Sequence, residues 1–343
     1  MPTDDDHAAG HDVDRVPGRA DLDPDVAAFL ARLRDRGEPA MFDGTVEEAR
    51  ERFAAQLREA VRPAGAGPAD VAGAGAAPGA GAAPGSGGAA PEVLDGPVPV
   101  RLHRPATPSG ALAVFVHGGG WVLGGGDAYD AVAARLAADT GAVVAAIDHR
   151  LAPEHPFPAP LDDVVTATRW VLRRADRWGV DPTRVALVGD SAGANLAAVT
   201  ALALRDAEVP VAAQLLVYPP PDFEARYPSL AENAEGYWLT ARDVRTCSKH
   251  YLGGHDPRGD VRVSPLRADL AGLPPTIVAT AGFDPLRDAG AAFVDALAAA
   301  GVGARLREHP ALVHGFYGFT GVVPAADAAV GALHAELADL LAA

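Results

Sequence analysis

From Val93 to the end of the chain, short apolar segments that predict β-strands alternate with longer segments that predict helices. The predicted strands are 98–103, 112–117, 143–147, 184–188, 213–217, 276–281 and 304–308, and the predicted helices are 127–139, 161–177, 192–205, 286–300 and 325–342. Alternation of this kind predicts an α/β fold, in which a mostly parallel, twisted sheet carries helices on both faces. Functional side chains are expected beyond the carboxyl ends of the strands.

Two amphipathic helices are predicted before this alternation, within 23–62. Asp23 is an N-cap candidate and is followed by a proline at the first helical position. Thr45 and Glu48 have the spacing of a capping box, which predicts the start of the second helix. Two short amphipathic helices cannot bury each other fully, so we expect them to pack on the rest of the protein.

The remaining segments complete the predicted domain organisation. Residues 1–22 are polar and without periodicity, which predicts a disordered tail. Residues 63–92 are almost entirely Ala, Gly and Pro, which predicts a flexible insertion. We expect one catalytic domain at 93–343, in which the stretch 220–260 interrupts the alternation and covers the site.

Composition excludes several classes of function. The net charge of −16 disfavours nucleic acid and anionic membranes as partners. Cys247 is the only cysteine, so an intrachain disulfide and a cysteine-based metal cluster are excluded. The sequence has neither a secretory signal nor a run of about 18 apolar residues, so we expect a cytoplasmic protein with no membrane span.

A G-x-S-x-G pattern at Gly189–Gly193 contains the first candidate catalytic residue. An apolar strand precedes the pattern and a helix follows it, so Ser191 lies at a sharp strand-to-helix turn. The flanking glycines suit a turn with no room for side chains. The pattern alone is equally compatible with an ordinary tight turn, and it gains meaning only from other motifs.

A second glycine-rich motif, His117-Gly118-Gly119-Gly120-Trp121, follows another predicted strand. Its glycines complete neither the G-x-x-x-x-G-K-[ST] pattern nor the G-x-G-x-x-G pattern of phosphate-binding loops. A nucleotide-binding loop is therefore disfavoured. On α/β-hydrolase sheets, a loop of this type supplies backbone N–H groups to an oxyanion hole. The pairing of both motifs is far more specific than either alone.

A serine nucleophile needs a base, and the base needs an orienting acid, in the chain order Ser, acid, His on this type of sheet. Asp284 and Asp288 follow one predicted strand, and His309 and His314 follow the next. We favour Asp284, because Asp288 lies within the predicted helix, although Asp284 could instead be an N-cap. We favour His314 over His309, which lies at the predicted end of its strand.

Five sequence blocks together resemble the bacterial hormone-sensitive-lipase family of carboxylesterases. These blocks are His117–Trp121, Asp148–Pro158, Gly189–Gly193, Asp284–Asp288 and His314–Phe316. The resemblance covers roughly residues 95–320. It implies an α/β-hydrolase fold with a helical cap, formed by the N-terminal helices and the 220–260 excursion, and hydrolysis of small esters with short to medium acyl chains.

The resemblance also assigns roles to individual residues. Ser191 is the expected nucleophile, His314 the base and Asp284 the acid that orients it. The expected oxyanion donors are the N–H of Ala192 and two among Gly118, Gly119 and Gly120, of which the last two are favoured. Neither a cofactor nor a metal is expected.

Some residues keep two interpretations. Trp121, Tyr237 and Trp238 either line a substrate pocket or pack the cap, and Asp190 is expected to brace loops. His149 stands where the family usually has Tyr, so we expect a packing change there.

Two other functions use the same sequence features. An amide or N-acetyl hydrolase would use the same catalytic residues. A non-catalytic receptor is disfavoured because His314 is present. A homodimer through the sheet edges is compatible with the sequence, but nothing in the sequence requires one.

Overall fold

The computed structural model describes residues 20–61 and 90–343. The predicted tail at 1–22 and the predicted insertion at 63–92 lie almost wholly outside the described residues. Within the described ranges, no helix is long and apolar enough to cross a membrane.

The described residues contain a single eight-stranded sheet. Its strands are β1 Glu92–Asp95, β2 Pro99–His103, β3 Leu112–Val116, β4 Val143–Ile147, β5 Val185–Asp190, β6 Ala213–Val217, β7 Thr276–Phe283 and β8 Ala304–Val313. Their order in the sheet is β1-β2-β4-β3-β5-β6-β7-β8. Strand β2 is antiparallel to both of its neighbours, β1 and β4, and all other neighbouring strands are parallel. The predicted α/β fold with a mostly parallel sheet is confirmed.

Two parts of the sheet differ from the prediction. Strand β1 was not predicted, and it pairs only with β2 at one edge. Strand β8 continues beyond residue 308 and through Pro310. A proline is tolerated there because β8 is the opposite edge strand and has no neighbour on its outer side. His309 therefore lies inside the strand, not at its end.

The helices of the described residues cover both faces of the sheet. They are α1 Pro24–Asp35, α2 Val46–Ala60, α3 Asp130–Thr140, α4 Ala159–Leu172, α5 Ala192–Arg205, α6 Pro228–Glu232, α7 Ala241–Leu252, α8 Arg287–Ala299 and α9 Pro324–Ala342. Helices α3 and α9 contribute to the apolar core on one face, and α4, α5 and α8 to the core on the other. Both cores are made largely of side chains that alternate along the parallel strands.

The two N-terminal helices start as their sequences predict. The Asp23 carboxylate accepts hydrogen bonds from the N–H groups of Asp25 and Val26, and Thr45 and Glu48 form a reciprocal capping box. Phe29 of α1 packs against Phe319, with ring centroids 4.9 Å apart. The apolar face of α1 is therefore buried on the segment that follows β8.

Candidate active site

Ser191 occupies the turn between β5 and α5 in a strained backbone conformation. Its φ is 53° and its ψ is −121°, a combination that non-glycine residues rarely adopt. A Cβ on Gly193 would overlap the carbonyl of Val116, and one on Gly189 would overlap the backbone at Gly193. The close approach of these segments explains why glycines flank the serine.

A continuous hydrogen-bonded chain joins Ser191 to His314 and Asp284. Nε2 of His314 lies 2.9 Å from Oγ of Ser191, and its Nδ1 lies 2.8 Å from Oδ2 of Asp284. A carboxylate can only accept, so Nδ1 of His314 carries the proton and Nε2 is left to accept the serine hydroxyl proton. The arrangement has the geometry of an activated nucleophile.

Neighbouring groups hold this chain in place. Asp284 is fully buried, and its second oxygen accepts a hydrogen bond from the N–H of Leu286 at 2.8 Å. Asn233 donates to the backbone carbonyl of Asp284 at 3.0 Å. The ring of Tyr218 packs on the His314 ring, with centroids 4.3 Å apart. These contacts restrict the orientation of both the acid and the imidazole.

The alternative acid and base lie elsewhere. The Asp288 carboxylate accepts hydrogen bonds from the N–H of Ser229 at 2.8 Å and from Arg287 at 2.7 Å. His309 packs on Phe316 with ring centroids 4.9 Å apart. The structure thus brings Asp284 and His314 to Ser191, and leaves Asp288 and His309 in other contacts.

Three glycines of the loop after β3 were candidate oxyanion donors. Within the described residues, the backbone N–H groups of two of them form no hydrogen bond. The N–H of Gly118 donates to Oδ1 of Asp190 at 2.8 Å. Gly118, which was included among the oxyanion candidates, is therefore unavailable, because its donor is already used. Within the described residues, no acceptor contacts the N–H of Gly119 or Gly120. Ala192 is the first residue of α5, where helix geometry also leaves the N–H free.

Asp190 braces this loop, in agreement with its predicted role. Besides Gly118, its carboxylate contacts the hydroxyls of Tyr129 at 3.3 Å and Tyr218 at 3.5 Å. Burial raises the pKa of Asp190 to about 6. The side chain links the oxyanion loop to the turn that carries Ser191.

Two buried imidazoles stack behind the same loop. The rings of His117 and His149 are 4.2 Å apart and nearly parallel, at 9°. Burial lowers the pKa of His117 to about 4 and, together with the neighbouring His117, lowers the pKa of His149 to about 3. Nδ1 of His117 donates to the carbonyl of Gly118 at 2.8 Å. The expected packing change at His149 is thus a stack of two neutral rings.

A largely apolar cavity of about 430 Å³ opens at Ser191. Of the three residues with two interpretations, Trp121 and Trp238 line the cavity, whereas Tyr237 does not and packs against Phe283, with ring centroids 4.9 Å apart. The contacts of Tyr237 thus fit the packing interpretation better than the pocket interpretation. Trp121 also stacks on Tyr251 at 4.4 Å, so it serves both the pocket and the packing.

The N-terminal segment and the 220–260 excursion form further walls of the cavity. Met41, Phe53 and Leu57 come from the N-terminal part of the chain, and the segment 222–227 and Cys247 come from the excursion. Sequence reasoning predicted that the stretch 220–260 covers the site, but it singled out no residue of the segment 222–227 and assigned no role to Tyr218. The position of Tyr218 directly after β6, at the carboxyl edge of the sheet, was the signal that could have identified it. Among residues 20–61 and 90–343, no group of three or more His, Cys, Asp or Glu side chains could hold a metal ion.

Comparisons with known proteins agree with this architecture. Residues 113–318 match the sequence profile of the α/β-hydrolase fold family. The chain is 44% identical over 241 residues to carboxylesterase NlhH of Mycobacterium tuberculosis, which covers 68% of this chain and 76% of that protein. It is 37% identical over 238 residues to the ethyl acetate hydrolase of Pseudomonas putida, which covers 67% and 74% of the two chains.

A solved structure matches over nearly the whole chain. The hyperthermophilic esterase of the archaeon Pyrobaculum calidifontis superposes with a TM-score of 0.81 and 32% identity, covering 94% of this chain and all of that one. The profile match spans more than half of the chain, and the sequence blocks of the hormone-sensitive-lipase type lie around the site. The chain therefore belongs to the hormone-sensitive-lipase-like esterases of the α/β-hydrolase fold family.

Proposed function

We propose that this protein is a serine carboxylesterase that hydrolyses esters with short to medium acyl chains. The observation that carries the proposal is the hydrogen-bonded chain from Asp284 through His314 to Ser191, which ends in an apolar cavity. The names of the relatives, a carboxylesterase and an ethyl acetate hydrolase, support the same reaction class.

The first half of the reaction forms an acyl-enzyme. Oγ of Ser191 attacks the ester carbonyl carbon while Nε2 of His314 takes the hydroxyl proton. The carbonyl oxygen becomes an oxyanion, which accepts hydrogen bonds from the N–H groups of Gly119, Gly120 and Ala192. The bond from carbon to the alcohol oxygen then breaks, and the alcohol leaves with the proton from His314.

The second half restores the free enzyme. Water attacks the acyl carbon and gives one proton to His314, and the oxyanion forms again at the same donors. The bond to Oγ breaks, the acid product leaves, and Ser191 regains its proton. The Asp284 carboxylate stabilises the imidazolium in both halves because it accepts a hydrogen bond from Nδ1.

We infer that α1, α2 and the excursion act as a cap that sets the size of the acceptable ester. Apolar side chains from these segments line the cavity, including Leu57 and Trp238. A cavity of about 430 Å³ encloses a small ester but not a long, fully extended acyl chain. Activity should therefore fall for chains that extend past the cap.

Hydrolysis of 4-nitrophenyl acetate, butyrate, octanoate and palmitate, by wild type and by Ser191→Ala, tests the proposal. Ser248→Ala is a matched control, because Ser248 lines the same cavity and its hydroxyl donates to the carbonyl of Val244. We expect the short esters to be hydrolysed by wild type and Ser248→Ala, and not by Ser191→Ala. Activity that survives Ser191→Ala would show a different nucleophile. Folded wild type that hydrolyses 4-nitroacetanilide but no ester would favour an amide substrate.

A further inference from the structure

The segment 222–227 forms a charged part of an otherwise apolar cavity wall. Three ionised side chains of this segment line the cavity, namely Asp222, Glu224 and Arg226. An ionised group beside the reacting ester attracts or excludes charged substrates, depending on whether another protein group already neutralises it. The partners of these three side chains therefore bear on which esters the site accepts.

Arg267 and nearby backbone groups satisfy the two acids. The Asp222 carboxylate accepts hydrogen bonds from Nε and Nη2 of Arg267 at 3.0 and 3.1 Å, and from the hydroxyl of Tyr227 at 3.1 Å. Glu224 lies 3.2 Å from Nε of Arg267 and accepts from the N–H of Gly259 at 2.9 Å. Both negative charges are engaged by groups on or beyond the wall and are not left to a ligand.

Arg226 differs from these two acids. Within the part of the chain that the structure describes, it makes no ion pair and no side-chain hydrogen bond, and its side chain is exposed at the cavity. A guanidinium remains charged at any working pH and offers a planar set of donors that fits a carboxylate. Among the described residues that line the cavity, Arg226 is thus a cationic side chain whose donors no other protein group uses.

We propose that the site accepts esters bearing a carboxylate remote from the scissile bond, and that Arg226 binds that carboxylate. The proposal rests on the proposed esterase function and specifies its substrate class. The remote carboxylate takes no part in the chemistry. It remains ionised and paired with Arg226 while Ser191 is acylated and released.

The overall negative charge of the protein disfavours the binding of a carboxylate ester. A net charge of −16 repels anions at long range, but salt screens this repulsion over about 8–10 Å at physiological ionic strength. A direct contact with Arg226 is screened less, because it acts over a distance much shorter than this screening length. Without the guanidinium, we therefore expect a carboxylate ester to be a poorer substrate than its neutral counterpart.

Two matched pairs of esters test this proposal with the full-length protein. The first pair is 4-nitrophenyl hexanoate and the 4-nitrophenyl monoester of adipate, which carries its carboxylate on the acyl side and too far from the ester to form a cyclic anhydride readily. The second pair is phenyl butyrate and 4-carboxyphenyl butyrate, which carries it on the alcohol side. The variants are Arg226→Gln and Arg245→Gln. Arg245 is an exposed arginine of α7 that does not line the cavity, so both variants remove one positive charge from the cap.

In wild type, we expect at least one carboxylate ester to be hydrolysed as efficiently as its neutral counterpart. Arg226→Gln should lower kcat/KM for that ester about three- to tenfold, mainly by raising KM. The neutral ester should change by less than about twofold, and Arg245→Gln should leave both unchanged. Equal losses in the two variants, equal losses for charged and neutral esters, or exclusion of both carboxylate esters by wild type would overturn the proposal.

These outcomes differ from a failure of the proposed function. If neutral esters are hydrolysed but no substrate depends on Arg226, the esterase function stands and only the substrate class is wrong. If folded wild type hydrolyses none of the four esters, both proposals fall together.

Discussion

Among the described residues, two hydrogen-bonded chains of carboxylate, imidazole and hydroxyl occur with nearly the same distances between their atoms. In the first, His314 lies 2.8 Å from Asp284 and 2.9 Å from the Ser191 hydroxyl. In the second, His334 of α9 lies 2.8 Å from Asp139 of α3 and 2.7 Å from the Tyr317 hydroxyl. Hydrogen-bond geometry alone therefore does not distinguish a catalytic chain from a structural one.

The two hydrogen-bonded chains differ in their surroundings. Ser191 lines a cavity together with Gly119 and Gly120, whose N–H groups have no acceptor within the described residues. Tyr317 is buried, its ring stacks on Phe115, and it does not line the cavity. Burial lowers the pKa of His334 and raises the pKa of the Tyr317 phenol. Among the residues described, none of the three side chains of the second chain lines the cavity that opens at Ser191.

We therefore interpret the second chain as a tether. Tyr317 lies three residues after His314, and its hydroxyl attaches this segment to His334 on α9 and, through Asp139, to α3. Arg135 extends the network, because it pairs with both Asp139 and Asp327. The comparison suggests that access and free donors, not the three side chains alone, make the first chain reactive.

Replacement of the aspartate by asparagine in each chain should give the largest difference in kcat between the two chains. Asp284→Asn should lower kcat for 4-nitrophenyl butyrate by about 10⁴-fold, because an amide at Nδ1 favours the wrong imidazole tautomer. Asp139→Asn should leave kcat within about threefold, since its imidazole touches no substrate. A comparable loss of kcat in Asp139→Asn, with folding intact by circular dichroism, would contradict the comparison.

The free donors beside Ser191 supply the next largest effect. Asp190→Ala should lower kcat by about 10- to 100-fold, because Gly118 loses its acceptor and the loop that carries Gly119 and Gly120 is no longer fixed. Asp190→Asn keeps an acceptor oxygen and should retain most of the activity. Steady-state kinetics of both variants would test this, and equal losses would show that the charge of Asp190 matters more than its hydrogen bond.

Removal of the tether hydroxyl should affect stability more than catalysis. Tyr317→Phe leaves Nε2 of His334 buried without a donor, which should lower the free energy of unfolding by about 1–3 kcal/mol. We expect kcat to change by less than about threefold. Urea unfolding and kinetics of the same preparation would measure both quantities.

Thr276→Val is the matched control for the tether variant. Thr276 begins β7, at the other end of the strand from Asp284, and its buried hydroxyl accepts a hydrogen bond from Gln214 at 2.9 Å. Its loss of stability should resemble that of Tyr317→Phe. If kcat falls at least tenfold in Tyr317→Phe alone, the tether also positions His314.

The smallest expected effect is on the pH dependence of stability and concerns another buried imidazole, that of His149. Its folded-state pKa of about 3 lies below the ordinary value of 6.5, so the unfolded chain binds a proton first as the pH falls. Stability is therefore lost as the pH falls from about 6.5 towards 3. His149 should contribute a loss of about 1 kcal/mol between pH 7 and pH 5.5. His149→Tyr should remove this part of the pH dependence, as measured by urea unfolding at several pH values. If the free energy of unfolding of the variant changes with pH as steeply as that of wild type, the lowered pKa of His149 would be contradicted.

Much of the fold and the turn at Ser191 could be predicted because their causes are local. Hydrophobic periodicity predicted β4 and α5 with the bounds that the structure has. The glycines at 189 and 193 indicated a turn in which a side chain has no room. The order of the motifs along the chain left two acids and two histidines as candidates, and the predicted ends of the neighbouring strand and helix favoured Asp284 and His314. These two residues lie 30 positions apart and meet at Ser191.

Only the tertiary structure decided which groups are engaged and which are free. The donor of Gly118 is used by Asp190, 72 residues later, and no local pattern predicts that contact. Tyr237 and Trp238 are adjacent, yet only Trp238 lines the cavity. The sequence determined the elements and the chemically competent residues through local sterics and periodicity. Long-range packing determined their solvent access, partners and charge balance, because these depend on segments that meet only in the folded protein.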